Sequence, residues 1–560
     1  MAGSNLDVIG AWKQGLVPRV EPSVLAPETC SWGKIAAGPH RLQQLLAQWL
    51  VGLPNHQQYA LKQYLPSGWI EKKSECDSFL AGTFCSGTDA PVLVYEAFMA
   101  AAADTLFAGS GCSMPTFAHS FSCEVEDEKR AFLQDFFDMK YCFTDVLDME
   151  KHDGRMFVKS QNWHRVPSVD WAAAGFPCDD ASSLHPNQSS TKHRGVFHGL
   201  AYYLARTNVE IFQWENVLTL ANKAVDKKSK KEVGPSNLSS VCHILRTVSG
   251  MWTHVYRLDS QLFGSGQGRG RLWGSSFKLS SLKMDEQNAH KLLDELMSFF
   301  VGVEGTDPED FLHPQSHPEV QCSLSKGKFM GQSREDFLIE NENGEEGENA
   351  DCRLSFEALF KSNGALPPDQ GRSRKRQKTS AAAPAWIGKH EEAFAKLGEE
   401  RSQFKLPPDD VMQSFPALRV LTQRQQEILY LKGLKQFPDK EFRVIDLSQT
   451  LMFCNMVKDK VPCITPAGQK FLTKPVRYLE GSEALQLQGI YLDHQKLLKY
   501  SSGFKMDLAG NAFETSCCGA AFLCSLMFCA INRRCGASSS AMPHVPREDV
   551  EGQEPESESK

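Results

Sequence analysis

Between about residue 79 and residue 275, short apolar runs alternate with longer segments of helical periodicity, and this alternation restricts the chain more than any other feature. The runs FLAGTFC, HSFSCEV, CFTDVL, VDWAAAGF and EIFQWENVLTL fit strands that each feed a helix. Such a succession is the rhythm of a parallel α/β sheet with helices on its faces. The 560 residues are enough for a large core and for more than one domain.

Composition divides the chain further. Residues 1–75 form an N-terminal extension, partly helical by the pattern of RLQQLLAQWLVGL, with no evident chemistry. Residues 76–280 are the expected α/β core. From 281 to 475 the pattern loosens, and an acidic run, ENENGEEGENAD, followed by a basic one, GRSRKRQKTSAAAPA, predicts a disordered insert at about 338–385. Order returns over 476–535, and 536–560 reads as a disordered polar tail. The apolar stretch at 517–531 has 15 residues, short for a bilayer, so a buried helix and no membrane span are expected. Seventeen cysteines without a signal peptide or a CxxC pair predict reduced thiols and no metal site. RSRKRQK at 372–378 suggests nuclear import. A net charge of -7 argues against non-specific coating of nucleic acid and requires any basic cleft to be local, with KKSKK at 227–231 as one candidate rim.

In open α/β sheets ligands bind beyond the carboxyl ends of the strands. The small-residue turn TFCSGTDAP at 83–91 suits that place and singles out Phe84, Cys85, Ser86, Gly87 and Thr88. Glu124, ending the next strand, could accept both hydroxyls of a ribose, and Asp145, ending the third, an adenine amino group. Taken singly each acid also fits a solvated loop end or a helix cap; together they describe an adenosyl pocket. Further on, AAGFPCDDASSL at 173–184 presents Cys178 after Pro177, which stiffens the approach. Asp179 and Asp180 disfavour a thiolate, so a basic group must come from elsewhere. Glu215 ends another strand in WENV, and GQGRGRLWG carries Arg269 and Arg271 at alternate positions, which a strand points to one face. A flexible RNA-binding loop is the other reading of those arginines.

In this order the motifs resemble the S-adenosylmethionine-dependent cytosine-5 DNA methyltransferases, over 79–275 and again in RYLEGSEALQLQGI at 477–490 and LAGNAFETSCCGAAF at 508–522. The resemblance implies a Rossmann-like mixed seven-stranded sheet flanked by helices, an inserted target-recognition region, S-adenosylmethionine as cofactor and double-stranded DNA as partner. It makes Cys178 the nucleophile, Glu215 the acid that pairs with the cytosine edge, and Arg269 and Arg271 the cations beside the base. Pro177 and Asn511 join the cofactor pocket by the same resemblance. Attack of a thiolate on carbon 6 would make carbon 5 able to accept a methyl group, with the base flipped out of the duplex. Three positions depart from the family's pattern: Asp179 follows the Pro-Cys pair where an amide is frequent, Cys85 takes an aromatic position with Phe84 one residue early, and Asp89 replaces a glycine. A transfer-RNA cytosine-5 methyltransferase and an inactive adenosyl-binding adaptor are the alternative readings.

Overall fold

The computed structural model describes residue 11 and residues 14–25, 32–70, 78–109, 116–152, 154–158, 163–177, 194–222, 235–329, 386–405, 407–434 and 439–537. Cys178, Asp179, the 227–231 lysines, the 372–378 basic run, the 338–385 insert and the end of the 536–560 tail lie outside the described residues.

The apolar runs become strands because each is covered on both faces, which favours continuous apolar sequence over alternation. The strands are β1 (Ser23–Val24), β2 (Ser78–Phe84), β3 (Thr116–Cys123), β4 (Tyr141–Phe143), β5 (Arg155–Phe157), β6 (Trp163–Arg165), β7 (Trp171–Ala174), β8 (Ile211–Val217), β9 (Met251–Asp259) and β10 (Gly270–Lys278). Eight of them form one sheet in the order β1-β9-β10-β8-β7-β2-β3-β4, and β5 and β6 pair separately. The run from β4 to β8 is parallel, while β10 lies antiparallel between β8 and β9. The sheet is thus mixed, with one strand more than the seven implied by resemblance. The eighth is β1, which adds in parallel to the free edge of β9. Two residues of strand carry no periodicity that a sequence reading could detect.

After β2 the chain moves outward to β3 and β4, then crosses back to β7 and β8 on the other side of β2. That reversal is a topological switch point, where a crevice opens beyond the carboxyl ends of the strands. The register places Phe143, Cys123, Phe84, Ala174 and Trp214 in one row across β4, β3, β2, β7 and β8.

One core lies beneath helices Arg41–Gly52, Ala90–Thr105, Glu286–Phe300 and Thr515–Ala537. The last is longer than the expected 15 residues and, by length and composition, long enough to cross a membrane; 89% of the apolar 18-residue window that meets this test is buried inside the fold. Its Cys517, Cys518 and Cys524 are fully buried and pack as small hydrophobes. Helix Arg41–Gly52 belongs to the same core through Leu45, Leu46 and Trp49, and its buried Arg41 donates to Ser516 Oγ (2.9 Å) and to the Gly264 carbonyl (2.6 Å). Residues between 386 and 478 build a second unit around the antiparallel sheet β12-β11-β13-β14, with β11 Arg443–Asp446, β12 Met456–Lys458, β13 Lys470–Thr473 and β14 Val476–Tyr478. Val461 fastens that unit to the first: its N–H donates to the Gly266 carbonyl and its carbonyl accepts from Gly268 N–H, both at 3.0 Å.

Candidate active site

Cys85, Glu124 and Glu215 each follow the aligned row by one residue, Asp145 by two and Pro177 by three, so all five emerge along one edge of the sheet. Sequence spacing alone could not show that these ends are level.

The turn after β2 has left-handed backbone at three alternate positions, Cys85 (φ 52), Gly87 (φ 52) and Asp89 (φ 47). Glycine adopts this conformation freely, whereas an L side chain there costs roughly 1–2 kcal/mol. At Asp89 the compensation is visible. Its fully buried carboxylate accepts from Thr83 Oγ1 (2.5 Å) and from Ser122 Oγ, with His119 Nε2 at 3.6 Å. Burial pushes the Asp89 carboxyl above its ordinary range, against those contacts. Asp89 therefore locks the turn from behind and takes no place in the crevice. Glu124 Oε2 accepts from Gly87 N–H and Oε1 from Glu126 N–H, both at 3.1 Å, which fixes the carboxylate beside the turn. Burial raises the Glu124 carboxyl despite these two donors. Burial, reinforced by Glu124 and then Asp145, also raises the Cys85 thiol, so Cys85 stands here as a neutral group between the two acids. Asp145 Oδ1 accepts from Leu147 N–H at 2.9 Å.

A small cleft, open to solvent, lies between this turn (Phe84, Cys85, Ser86, Thr88), the end of β7 (Ala173, Ala174, Gly175) and the segment Asn511–Phe513. Asn511 is exposed and tied by its Nδ2 to the Asp507 carbonyl (3.1 Å). Gly510 lets this segment approach, because a Cβ there would stand 2.1 Å from Pro466 N.

At the other end, Glu215 is 7% exposed, with Arg271 Nε 2.9 Å and Arg269 Nη2 3.8 Å from its Oε1. The Arg271 contact is an ion pair off the hydrogen-bond direction, and Oε1 finds no hydrogen-bond partner among the described residues. The two arginines differ in what else they do. Arg269, 3% exposed, donates through Nη1 to the carbonyls of Ile464 (3.0 Å) and Gly510 (3.2 Å), and through Nη2 to those of Gly510 (3.2 Å) and Ala512 (2.8 Å). It clamps the returning segment and the second unit to β10. Burial, and then Arg271, lowers its pKa. Arg271 donates to the Gly270 carbonyl and to Cys463 Sγ (3.5 Å).

Two residues here escaped the sequence reading. Asn216 donates from Nδ2 to the Phe176 carbonyl at 3.1 Å, tying the Pro177 approach to β8. Cys463 adjoins both arginines; burial opposes its ionisation, but Arg271, Arg269 and Lys470 outweigh it and hold the thiol below its ordinary pKa. Its one sequence signal is a second Pro-Cys pair, Pro462–Cys463.

A mixed sheet with a level row of acids at its switch point, and a buried carboxylate between two arginines at the end of β8, is an α/β architecture with a crevice suited to a ligand. The profile of the C-5 cytosine-specific DNA methylase family matches residues 103–413, more than half of the chain, and the chain belongs to that family. DNA (cytosine-5-)-methyltransferase DMT5 of Verticillium dahliae is 22% identical over 484 residues, covering 80% of this chain and 19% of that protein. DMT5 of Cryptococcus neoformans var. grubii is 26% identical over 242 residues, covering 40% of this chain and 10% of that one. The chain thus spans a fifth or less of the length of these curated relatives. A crystal structure of a Spodoptera frugiperda DNMT2 mutant overlaps at 11% identity and a TM-score of 0.34, covering 80% of this chain and 99% of that one.

Proposed function

We propose that this chain transfers a methyl group from S-adenosylmethionine to carbon 5 of cytosine in DNA. The observation that carries the reading is Glu215: a buried carboxylate with an unfilled acceptor, held between two guanidinium groups, is costly to maintain unless a ligand completes it. The amino edge of cytosine offers the missing donor, and Arg271 can face the charge that grows on the ring as a thiolate attacks. Cys178 is the attacking group; it follows Pro177 in sequence, and the Asn216 bond to the Phe176 carbonyl fixes the segment that leads to that proline. The target base must leave the duplex to reach these groups.

The cleft residues fit the cofactor. The fixed Glu124 carboxylate keeps lone pairs free for ribose hydroxyls, and Asp145 lies at the same edge for an adenine amino group. Phe84, Cys85, Ser86, Gly87, Thr88, Pro177 and Asn511 would complete the enclosure. When bound, S-adenosylmethionine supplies an electrophilic methyl group.

DNA carrying 5-fluorocytosine, offered with cofactor, should trap the wild-type chain as a covalent adduct and leave Cys178→Ser free. Trapping that survives Cys178→Ser and disappears in Cys463→Ser would move the nucleophile to Cys463. Methyl transfer to transfer RNA with none to DNA would refute the choice of substrate. We further propose nuclear import through residues 372–378; equal nuclear entry with Arg374, Lys375 and Arg376 changed to alanine would refute it.

A further inference from the structure

We propose that the β5–β6 hairpin, between the third acidic loop and the Pro177 segment, is a docking surface for the sugar-phosphate backbone of DNA outside the target base pair. The hairpin has two unlike faces. Its inner face is anchored by Met156, fully buried, in the core that also holds Val158. On its outer face the register sets Arg155 directly opposite Arg165, and Phe157 directly opposite Trp163. Both arginines are exposed, and the two rings, 5.6 Å apart, remain 36% and 38% exposed, with His152 stacked on Trp163 at 3.8 Å.

Like charges directly across an antiparallel pair destabilise it. Here neither guanidinium has a carboxylate within ion-pair distance among the described residues, so nothing in the described fold relieves the repulsion. Exposed aromatic rings beside a pair of cations suit a polyanion that carries sugars: phosphates bridge the arginines, and the rings pack against the deoxyriboses. The hairpin's place fits that partner. Thr144, just past β4, donates its N–H to the Phe157 carbonyl at 3.0 Å, so the hairpin extends the sheet edge on the side where Asp145, Glu124 and Glu215 emerge. A duplex with one base in the site would have flanking backbone to lay across it.

The inference rests on DNA being the substrate, and the test separates the two. Affinity of the full chain for a labelled cytosine-containing duplex is measured against salt, for wild type, Arg155→Gln/Arg165→Gln, Trp163→Ala and Arg165→Glu. Each phosphate contact contributes about 0.9 to the slope of log affinity against log salt, so the double variant should lose about 1.8 of it. Trp163→Ala should weaken binding severalfold with the slope kept, because it removes a sugar contact and no charge. Arg165→Glu replaces a repulsive cross-strand pair with an attractive one, so it should melt no lower than wild type while losing DNA affinity. S-adenosylmethionine affinity should not change in any of them. Wild-type binding to DNA with an unaltered slope in the double variant overturns the hairpin assignment alone. A wild type that binds no DNA removes the substrate reading and this inference together, and variants that lose transfer RNA but keep duplex DNA overturn the choice of partner.

Discussion

Changing Arg269 to methionine removes four hydrogen bonds to three carbonyls, those of Ile464, Gly510 and Ala512, while keeping much of the side-chain volume. Each buried carbonyl left without its donor costs about 1–3 kcal/mol. Against that stands the desolvation of a guanidinium only 3% exposed, which the variant no longer bears. The net loss should be roughly 3–5 kcal/mol, and Arg269→Lys, whose ammonium lacks the planar fork, should lose about half as much. Because Asn511 lies between two of the clamped carbonyls and lines the cleft, S-adenosylmethionine affinity should fall as well, although Arg269 lines no part of that cleft. Arg271→Met strips the 2.9 Å ion pair from buried Glu215, so it too should lose stability, by roughly 1–3 kcal/mol, but it should leave S-adenosylmethionine affinity in place while methyl transfer is lost. Urea midpoints, cofactor calorimetry and turnover of the same preparations provide the three readings. An Arg269→Met chain that unfolds with the wild type and binds cofactor normally, yet is inactive, would refute the fastening role and return Arg269 to the chemistry.

Other outcomes follow from single contacts. Burial raises the Glu480 carboxyl from 4.5 to about 7, and its Oε1 has no hydrogen-bond partner among the described residues. The folded state therefore holds this proton more tightly than the unfolded chain, and stability falls as pH rises from about 4.5 to about 7, by roughly 3 kcal/mol in all. Glu480→Gln should exceed wild type in urea midpoint at about pH 8 and match it near pH 4.5; a gap independent of pH contradicts the assignment. Gly510→Ala drives a Cβ to 2.1 Å from Pro466 N and 2.4 Å from the Thr465 carbonyl carbon, both backbone atoms. It should cost about 2–3 kcal/mol and weaken cofactor binding, with unchanged calorimetry counting against the proposed wall. Glu124→Ala should lower S-adenosylmethionine affinity by roughly 1–3 kcal/mol, and full retention would place the ribose elsewhere.

The strand-forming runs were legible because strands buried on both faces leave a continuous apolar signature: β7 and β8 fall within the runs read from sequence, and β2, β3 and β4 overlap theirs but start one to three residues earlier. The acids were legible for a related reason: Glu124 and Glu215 interrupt or directly follow apolar runs, and a carboxylate at a strand end stands out locally. The levelness of those ends was not legible, since it depends on interstrand register. The two arginines show the same limit. GQGRGRLWG offers Arg269 and Arg271 as equals, and only the return of Ile464, Gly510 and Ala512, some 195 to 243 positions later, commits one of them to a clamp. Cys463 likewise lies 192 residues from Arg271 in sequence, so local pattern could not associate it with the site. Nor could composition show that Cys85 and Asp89 would adopt left-handed backbone, because the chain holds them there through buried contacts such as those of Asp89 with Thr83 and Ser122. Local sequence determined which segments are strands and which residues bear charge at their ends. Tertiary packing decided which of those charges meet, because an arginine's partner is whatever backbone the distant chain brings within about 3 Å of it.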